Sequence, residues 1–212
     1  MARVKICGLS TAETMEVALD AGADFVGLVF FAKSPRNVSI AQARGLAEQA
    51  SGRAEIVALV VDPDDELVGQ IAAQVGPDVI QLHGAETPDR VREIGQKTGA
   101  RTMKAIKVAT RTDAAAALAY RDSADLILFD AKPPPGAELP GGNGLAFDWT
   151  ALAEVAAEVD YMLSGGLSPE NVRLAIEVTG APAVDVSSGV ESAPGVKDAA
   201  RIRAFIAAAK DV

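Results

Sequence analysis

RVKICGLSTAETMEVALDAGADFVGLVF, residues 3–30, is the stretch on which the fold turns. It opens with a Val- and Ile-rich run, Arg3–Cys7, and breaks at Gly8. A helical pattern follows over Thr11–Ala21, and a second apolar run covers Asp24–Phe30. The same alternation continues along the chain. Further runs are expected at Ile56–Val61, Asp78–His83, Thr102–Val108, Asp125–Asp130, Asp160–Ser164 and Ala183–Ser187. Most are apolar on both faces, which marks strands of a parallel sheet covered on both sides. Helical patterns lie between them, at Ile40–Ala50, Asp64–Val75, Pro88–Thr98, Thr112–Tyr120, Trp149–Glu158, Pro169–Thr179 and Lys197–Ala209. Ser10-x-x-Glu13 and Ser39-x-x-Gln42 have capping-box spacing. Thr87-Pro88 and Ser168-Pro169 set a cap residue before a first-turn proline. Eight strand-helix repeats mean a (β/α)8 barrel or a doubly wound sheet. The first strand ends in Cys7-Gly8-Leu9, not in a G-x-G-x-x-G turn, which favours the barrel. The fold class is therefore α/β, a single-domain (β/α)8 barrel over residues 1–212 with no linker.

Composition narrows the function. Hydrophobic residues make up 49% of 212, a globular share. Twenty Lys and Arg against 29 Asp and Glu give a net charge of -9. That acidity argues against nucleic acid or anionic lipid as partner, while leaving room for a local basic pocket. No apolar run reaches about 18 residues, so no membrane span is expected. One cysteine excludes an internal disulfide and, with no secretory segment, points to reducing cytoplasm. One histidine and one cysteine cannot build a His/Cys zinc cluster, and no metal site is expected.

Barrel active sites lie at the C-terminal ends of the strands. The last polar residues there are Cys7, His83, Asp130, Ser164 and Ser187, with Lys107 and Asp185 close by. Period two puts Lys5 with Cys7, Gln81 with His83, and Asp185 with Ser187 on shared faces. A thiol, a carboxyl and an imidazole then meet at one mouth. Cys7 as a base needs its pKa depressed; Lys5 either does this or forms a paired charge lower in the barrel. Asp130 either caps a turn or serves as a general acid, a role that burial or a nearby thiolate favours by disfavouring the charged form. An acid and a base across a mouth suit proton transfer next to a carbonyl or imine. Gly165, Gly166, Ser188 and Gly189 lie in the loops after strands seven and eight, where barrels commonly bind phosphate. Arg36 is either a solvated loop residue or a grip for a carboxylate. Lys132–Phe147 is long and Pro/Gly-rich, a lid or a surface loop. Lys104 and Lys107 keep open a Schiff-base enzyme of phosphosugars. A non-catalytic sugar-phosphate binder and a metal-dependent epimerase also remain.

Taken together the segments resemble the phosphoribosylanthranilate isomerases of tryptophan biosynthesis. The resemblance spans the chain: Val4–Leu9, Lys33–Arg36, Gln81–Gly84, Phe129-Asp130, Gly142-Asn143-Gly144 with Phe147–Trp149, Ser164–Leu167 and Asp185–Glu191. Ser10 and Asn143 stand where threonine is usual. The resemblance implies an Amadori rearrangement of N-(5-phosphoribosyl)anthranilate to 1-(2-carboxyphenylamino)-1-deoxyribulose 5-phosphate. It implies Asp130 as general acid, Cys7 as general base and Arg36 as partner of the anthranilate carboxylate. It places the phosphate at Gly165, Gly166, Ser188 and Gly189, and His83 and Asp185 beside the substrate. It implies no cofactor and a small phosphoribosyl substrate. The sequence leaves the chain a monomer or a homodimer, expected in the cytoplasm.

Overall fold

The computed structural model describes residues 1–132, 141 and 147–212. Eight parallel strands close into a barrel in chain order. They are β1 (Arg3–Cys7), β2 (Phe25–Phe30), β3 (Glu55–Val60), β4 (Val79–Leu82), β5 (Arg101–Val108), β6 (Leu126–Ala131), β7 (Tyr161–Leu163) and β8 (Ala183–Val186). Each agrees with its expected run to within one residue at either end. The covering helices are α1 (Ala12–Asp20), α2 (Ile40–Ala50), α3 (Asp65–Gln74), α4 (Pro88–Thr98), α5 (Arg111–Ala115), α6 (Val172–Thr179) and α7 (Ala199–Lys210). A small hairpin, β9 (Glu191–Ala193) with β10 (Val196–Lys197), follows β8.

Alternation along each strand sorts the side chains into two cores. Phe25, Val57, Val79, Met103, Leu128 and Met162 form one buried cluster, the filling of the barrel. Their neighbours, such as Ile6, Leu28, Ile80 and Phe129, join the larger cluster under the helices. Phe129 stacks at a tilt on Tyr161, ring centroids 5.6 Å apart. The floor of the barrel is charged. Glu55 pairs with both Arg3 and Arg101, and the Arg3 guanidinium lies 4.0 Å over the Phe25 ring.

Several helix ends differ from the sequence expectation, each because a nearby polar group takes the backbone donor. Thr11, not Ser10, caps α1: its extended backbone lets Oγ1 accept from Thr14 N at 3.2 Å. Ser39 caps α2, but Gln42 completes no box, because its amide donates to Ser10 O. Thr87 and Pro88 start α4 as expected. Past Ser168-Pro169 the helix is delayed to Val172. Asn171 Oδ1 accepts from Ser168 N and its Nδ2 donates to Gly166 O, holding a turn there. The expected helix Trp149–Glu158 is a 3-10 turn over Trp149–Leu152, capped by Asp148 at Thr150 N. Over Thr112–Tyr120, a capping box at Thr110 and Asp113 starts α5 early, and 3-10 geometry takes over from Ala116. Lys197 belongs to β10, and Asp198 caps α7. Within the expected loop Lys132–Phe147, Gly142, Asn143 and Gly144 lie outside the described residues.

Phe129→Ala removes a fully buried ring between barrel and helices. It is expected to cost about 3–5 kcal/mol, read as a lower urea midpoint at unchanged slope. A loss below about 1 kcal/mol would show that the outer core refills the space.

Candidate active site at the barrel mouth

The strand ends converge as the alternation requires. Cys7, Gln81, His83, Asp130, Ser164 and Asp185 line one cleft at the C-terminal face, with an empty volume of ≈ 800 Å³, open solvent included. Arg36, Gly165, Gly166, Ser187 and Ser188 close its rim. Among the described residues, no three His, Cys, Asp or Glu side chains gather in a metal-ligating group.

Lys5 lies beneath Cys7 and is wholly buried. Its Nζ donates to Asp185 Oδ1 at 2.9 Å, and Ser164 Oγ donates to Asp185 Oδ2 at 3.2 Å. Burial alone pulls the Lys5 ammonium down, but Asp185 and then Cys7 outweigh it and hold its pKa above the ordinary value. Of the two roles open to Lys5, the structure shows the paired charge. The thiol does not gain the depression that a free ammonium would supply. Burial pushes the Cys7 thiol up, and the opposing pull of Lys5 and Lys197 is too small to reverse it, with Asp185 adding to the rise. Cys7 is therefore a neutral thiol at neutral pH.

Arg36 is not a solvated loop residue. It is 6% exposed, and its Nε and Nη2 donate to Glu191 Oε1 and Oε2 at 2.7 and 2.8 Å. Lys197 Nζ donates to Glu191 Oε1 at 2.7 Å and to Ser187 O at 2.9 Å, and Gly195 N donates to Glu191 Oε2 at 3.2 Å. Burial pushes the Glu191 carboxyl up, but Arg36 and Lys197 outweigh it and keep it below the usual carboxylate range. Gly8 is needed beneath the arginine: its φ is +78°, and a Cβ there would lie 2.6 Å from Arg36 Cδ. Glu191 and Lys197 were not singled out from the sequence. Their signal is the Pro194-Gly195 turn, which marks the β9–β10 hairpin that carries them.

His83 places Nδ1 3.0 Å from Gln81 Nε2 and Nε2 3.3 Å from Asp130 Oδ2, the latter without an aligned hydrogen bond. Asp130 Oδ1 accepts from Ala131 N at 3.0 Å. Gly165 and Gly166, at φ +90° and +64°, reach the cleft with Ser188. Gly189 is not on the cleft wall. Its missing Cβ lets Leu167 O approach, at a point where a Cβ would be 1.9 Å away. The two loops proposed for phosphate are thus packed directly on each other. Lys104 leaves the mouth altogether and binds Glu86 Oε2 at 2.7 Å and Gly84 O at 2.8 Å outside the barrel. Lys107 does not line the cleft. The Schiff-base alternative loses both lysines.

Residues 4–208 match the family described as N-(5'phosphoribosyl)anthranilate (PRA) isomerase. The chain belongs to that family. It is 55% identical over 207 residues to the N-(5'-phosphoribosyl)anthranilate isomerase of Rhodopseudomonas palustris strain BisA53, covering 98% of this chain and 95% of that one. The solved phosphoribosyl anthranilate isomerase of Thermotoga maritima superposes with a TM-score of 0.90 at 38% identity, over 100% of both chains. Another isomerase structure of the family, solved with reduced 1-(o-carboxyphenylamino)-1-deoxyribulose 5-phosphate, gives 0.88 at 37% identity, again over 100% of both chains. These matches run from β1 to α7.

With one cysteine in the chain, ultraviolet thiolate absorbance titrates Cys7 alone. The wild-type midpoint is expected above the ordinary thiol value. Asp185→Asn should move it down, because the variant removes a negative charge and frees Lys5 to stabilise the thiolate. An unmoved or rising midpoint would show that Asp185 does not govern the thiol.

Proposed function

We propose that this cleft performs the family's isomerisation with Asp130 as general acid and Cys7 as general base. The observation that carries the reading is their placement. Both are buried at the C-terminal ends of barrel strands, and β7 and β8 separate those strands in the closed order, so they face one cleft from different sides. The activity is that of the family, an isomerase step of tryptophan biosynthesis on N-(5'-phosphoribosyl)anthranilate. The relative solved with a reduced product analogue supports a phosphoribosyl ligand here.

The chemistry follows from the groups present. Asp130 gives its proton to the ribose ring oxygen, the C1′–O bond breaks, and the nitrogen lone pair forms the protonated imine. Cys7 removes the C2′ proton, and the electron pair shifts toward the nitrogen to leave an enolamine. Tautomerisation of the enol gives the ketone, and Cys7 and Asp130 return to their starting protonation states through solvent and product. As substrate enters, the neutral Cys7 thiol passes its proton through solvent to the Asp130 carboxylate, which leaves the thiolate base and the carboxylic acid together, and the buried Lys5 and Lys197 charges favour the thiolate. Glu191 uses one edge of the Arg36 guanidinium, so Nη1 is left for the anthranilate carboxylate. Gly165, Gly166, Ser188 and Gly189 present the loops for the phosphate. The 3-10 turn Ser188–Val190 leaves its first N–H groups without partners inside the turn. Asp185 and His83 complete the walls around the ribose. No described helix is long and apolar enough to cross a membrane. The single free thiol fits a reducing compartment, and we assign the enzyme to the cytoplasm.

Cys7→Ser and Asp130→Asn are each expected to lower kcat by on the order of 10²–10⁴ with KM changed only a few-fold. Arg36→Ala should instead raise KM by about tenfold to a hundredfold, the worth of a charged hydrogen-bonded pair. Steady-state kinetics on phosphoribosylanthranilate, followed by loss of its fluorescence, separates the two patterns. Near-normal turnover in either of the first two variants would remove the acid-base assignment.

A further inference from the structure

Gln81 sits two residues before His83 on the same face of β4, fully buried inside the barrel. Its amide nitrogen lies 3.0 Å from His83 Nδ1. An amide nitrogen can only donate, so Nδ1 must be the bare, accepting nitrogen, and the neutral ring then carries its hydrogen on Nε2. The opposite amide orientation would put the ring hydrogen on Nδ1 and leave a bare Nε2 3.3 Å from Asp130 Oδ2, so that the ring nitrogen and the ionised carboxylate would face each other as two acceptors. The orientation with the NH2 group on Nδ1 avoids that pairing of acceptors and is preferred. At the other end of the ring, Nε2 is buried with no aligned partner among the described residues, and it lies 3.3 Å from Asp130 Oδ2. The second Asp130 oxygen already accepts from Ala131 N. Gly141 covers the pair, and a Cβ there would lie 2.6 Å from Asp130 Oδ2 and 2.7 Å from His83 Nε2.

We infer that Gln81 is a positioning residue: it holds the protein's sole imidazole as the Nε2–H tautomer, which makes His83 a hydrogen-bond donor to Asp130. The inference deepens the proposed function and rests on Asp130 being the acid. When Asp130 passes its proton to the ribose ring oxygen, negative charge develops on the carboxyl. The neutral imidazole stabilises it by donating a hydrogen bond from Nε2–H and gives up no proton of its own. The gap of 3.3 Å is of the kind that tightens in the reacting complex.

The chain holds one histidine, so the imidazole nitrogen resonances of ¹⁵N-labelled protein report this ring alone. At a pH where the ring is neutral, the wild type is expected to show a bare Nδ1 and a protonated Nε2. Gln81→Glu replaces the donor by an acceptor and should reverse the tautomer to Nδ1–H. Gln81→Met removes the hydrogen bond and should give a mixture. In both variants kcat is expected to fall about tenfold or more with KM within about threefold, a fraction of what a general acid contributes. A wild-type ring protonated on Nδ1 overturns the inference, and that measurement does not depend on either variant folding. A tautomer that ignores both substitutions, or one that shifts with no change in kcat, overturns it as well. Failure of the acid assignment is told apart by Asp130→Asn. Full turnover there, with the tautomer still answering to Gln81, removes the catalytic role of Asp130 and leaves the Gln81–His83 coupling standing.

Discussion

A buried ammonium and a buried carboxylate, Lys5 and Asp185, meet at the seam where the first strand of the barrel closes against the last. The hydrogen bond between them spans 180 residues of chain. Taking both charges out of water is costly, and losing one partner of such a pair typically costs about 3–5 kcal/mol. The seam therefore has one register in which both charges are satisfied. That register also carries Cys7 to the mouth, two residues along β1 from the lysine, and holds Ser164 of the neighbouring strand end through Asp185. Closure of the sheet and the placement of the thiol are settled by the same contact.

A second set of charges sits above the seam. Glu191 receives Arg36, Lys197 and the Gly195 amide at once, so its lone pairs are largely used. The arginine stem lies on Gly8, and Gly195 leans on Pro35, where a Cβ would be 2.7 Å from the carbonyl oxygen. The loops after β1, β2 and β8 are in this way locked together. A guanidinium so held loses little freedom when a carboxylate arrives, which is how preorganisation strengthens binding.

The barrel is legible in the chain because its information is local and periodic. Val- and Ile-rich runs bounded by Gly, Pro and Asp give each strand to within a residue, and period two names Cys7, His83, Asp130 and Asp185 as mouth residues before any coordinates. What is not legible is who pairs with whom. Nothing local says that Arg36 meets Glu191 or that Lys5 meets Asp185 rather than the thiol, because those partners are brought together only by closure. Helix ends show the same limit in miniature. Ser10 and Thr11 both offer a capping hydroxyl, and backbone angle alone selects Thr11. At Ser168 the sequence signal for a helix start is overridden by the Asn171 side chain three residues on. Gly189 is recognisable as a loop glycine, but its reason, the carbonyl of Leu167, belongs to another loop.

The long span between Arg36 and Glu191, 155 residues, has a bearing on how the protein is born. Synthesis is vectorial, and the two cations Lys5 and Arg36 leave the ribosome long before their counter-ions exist. Until the last quarter of the chain follows, burying either of them would strand an uncompensated charge. The nascent polypeptide is thus discouraged from closing a smaller, incomplete barrel, and both the seam and the grip of the mouth form together when β8 and its hairpin arrive.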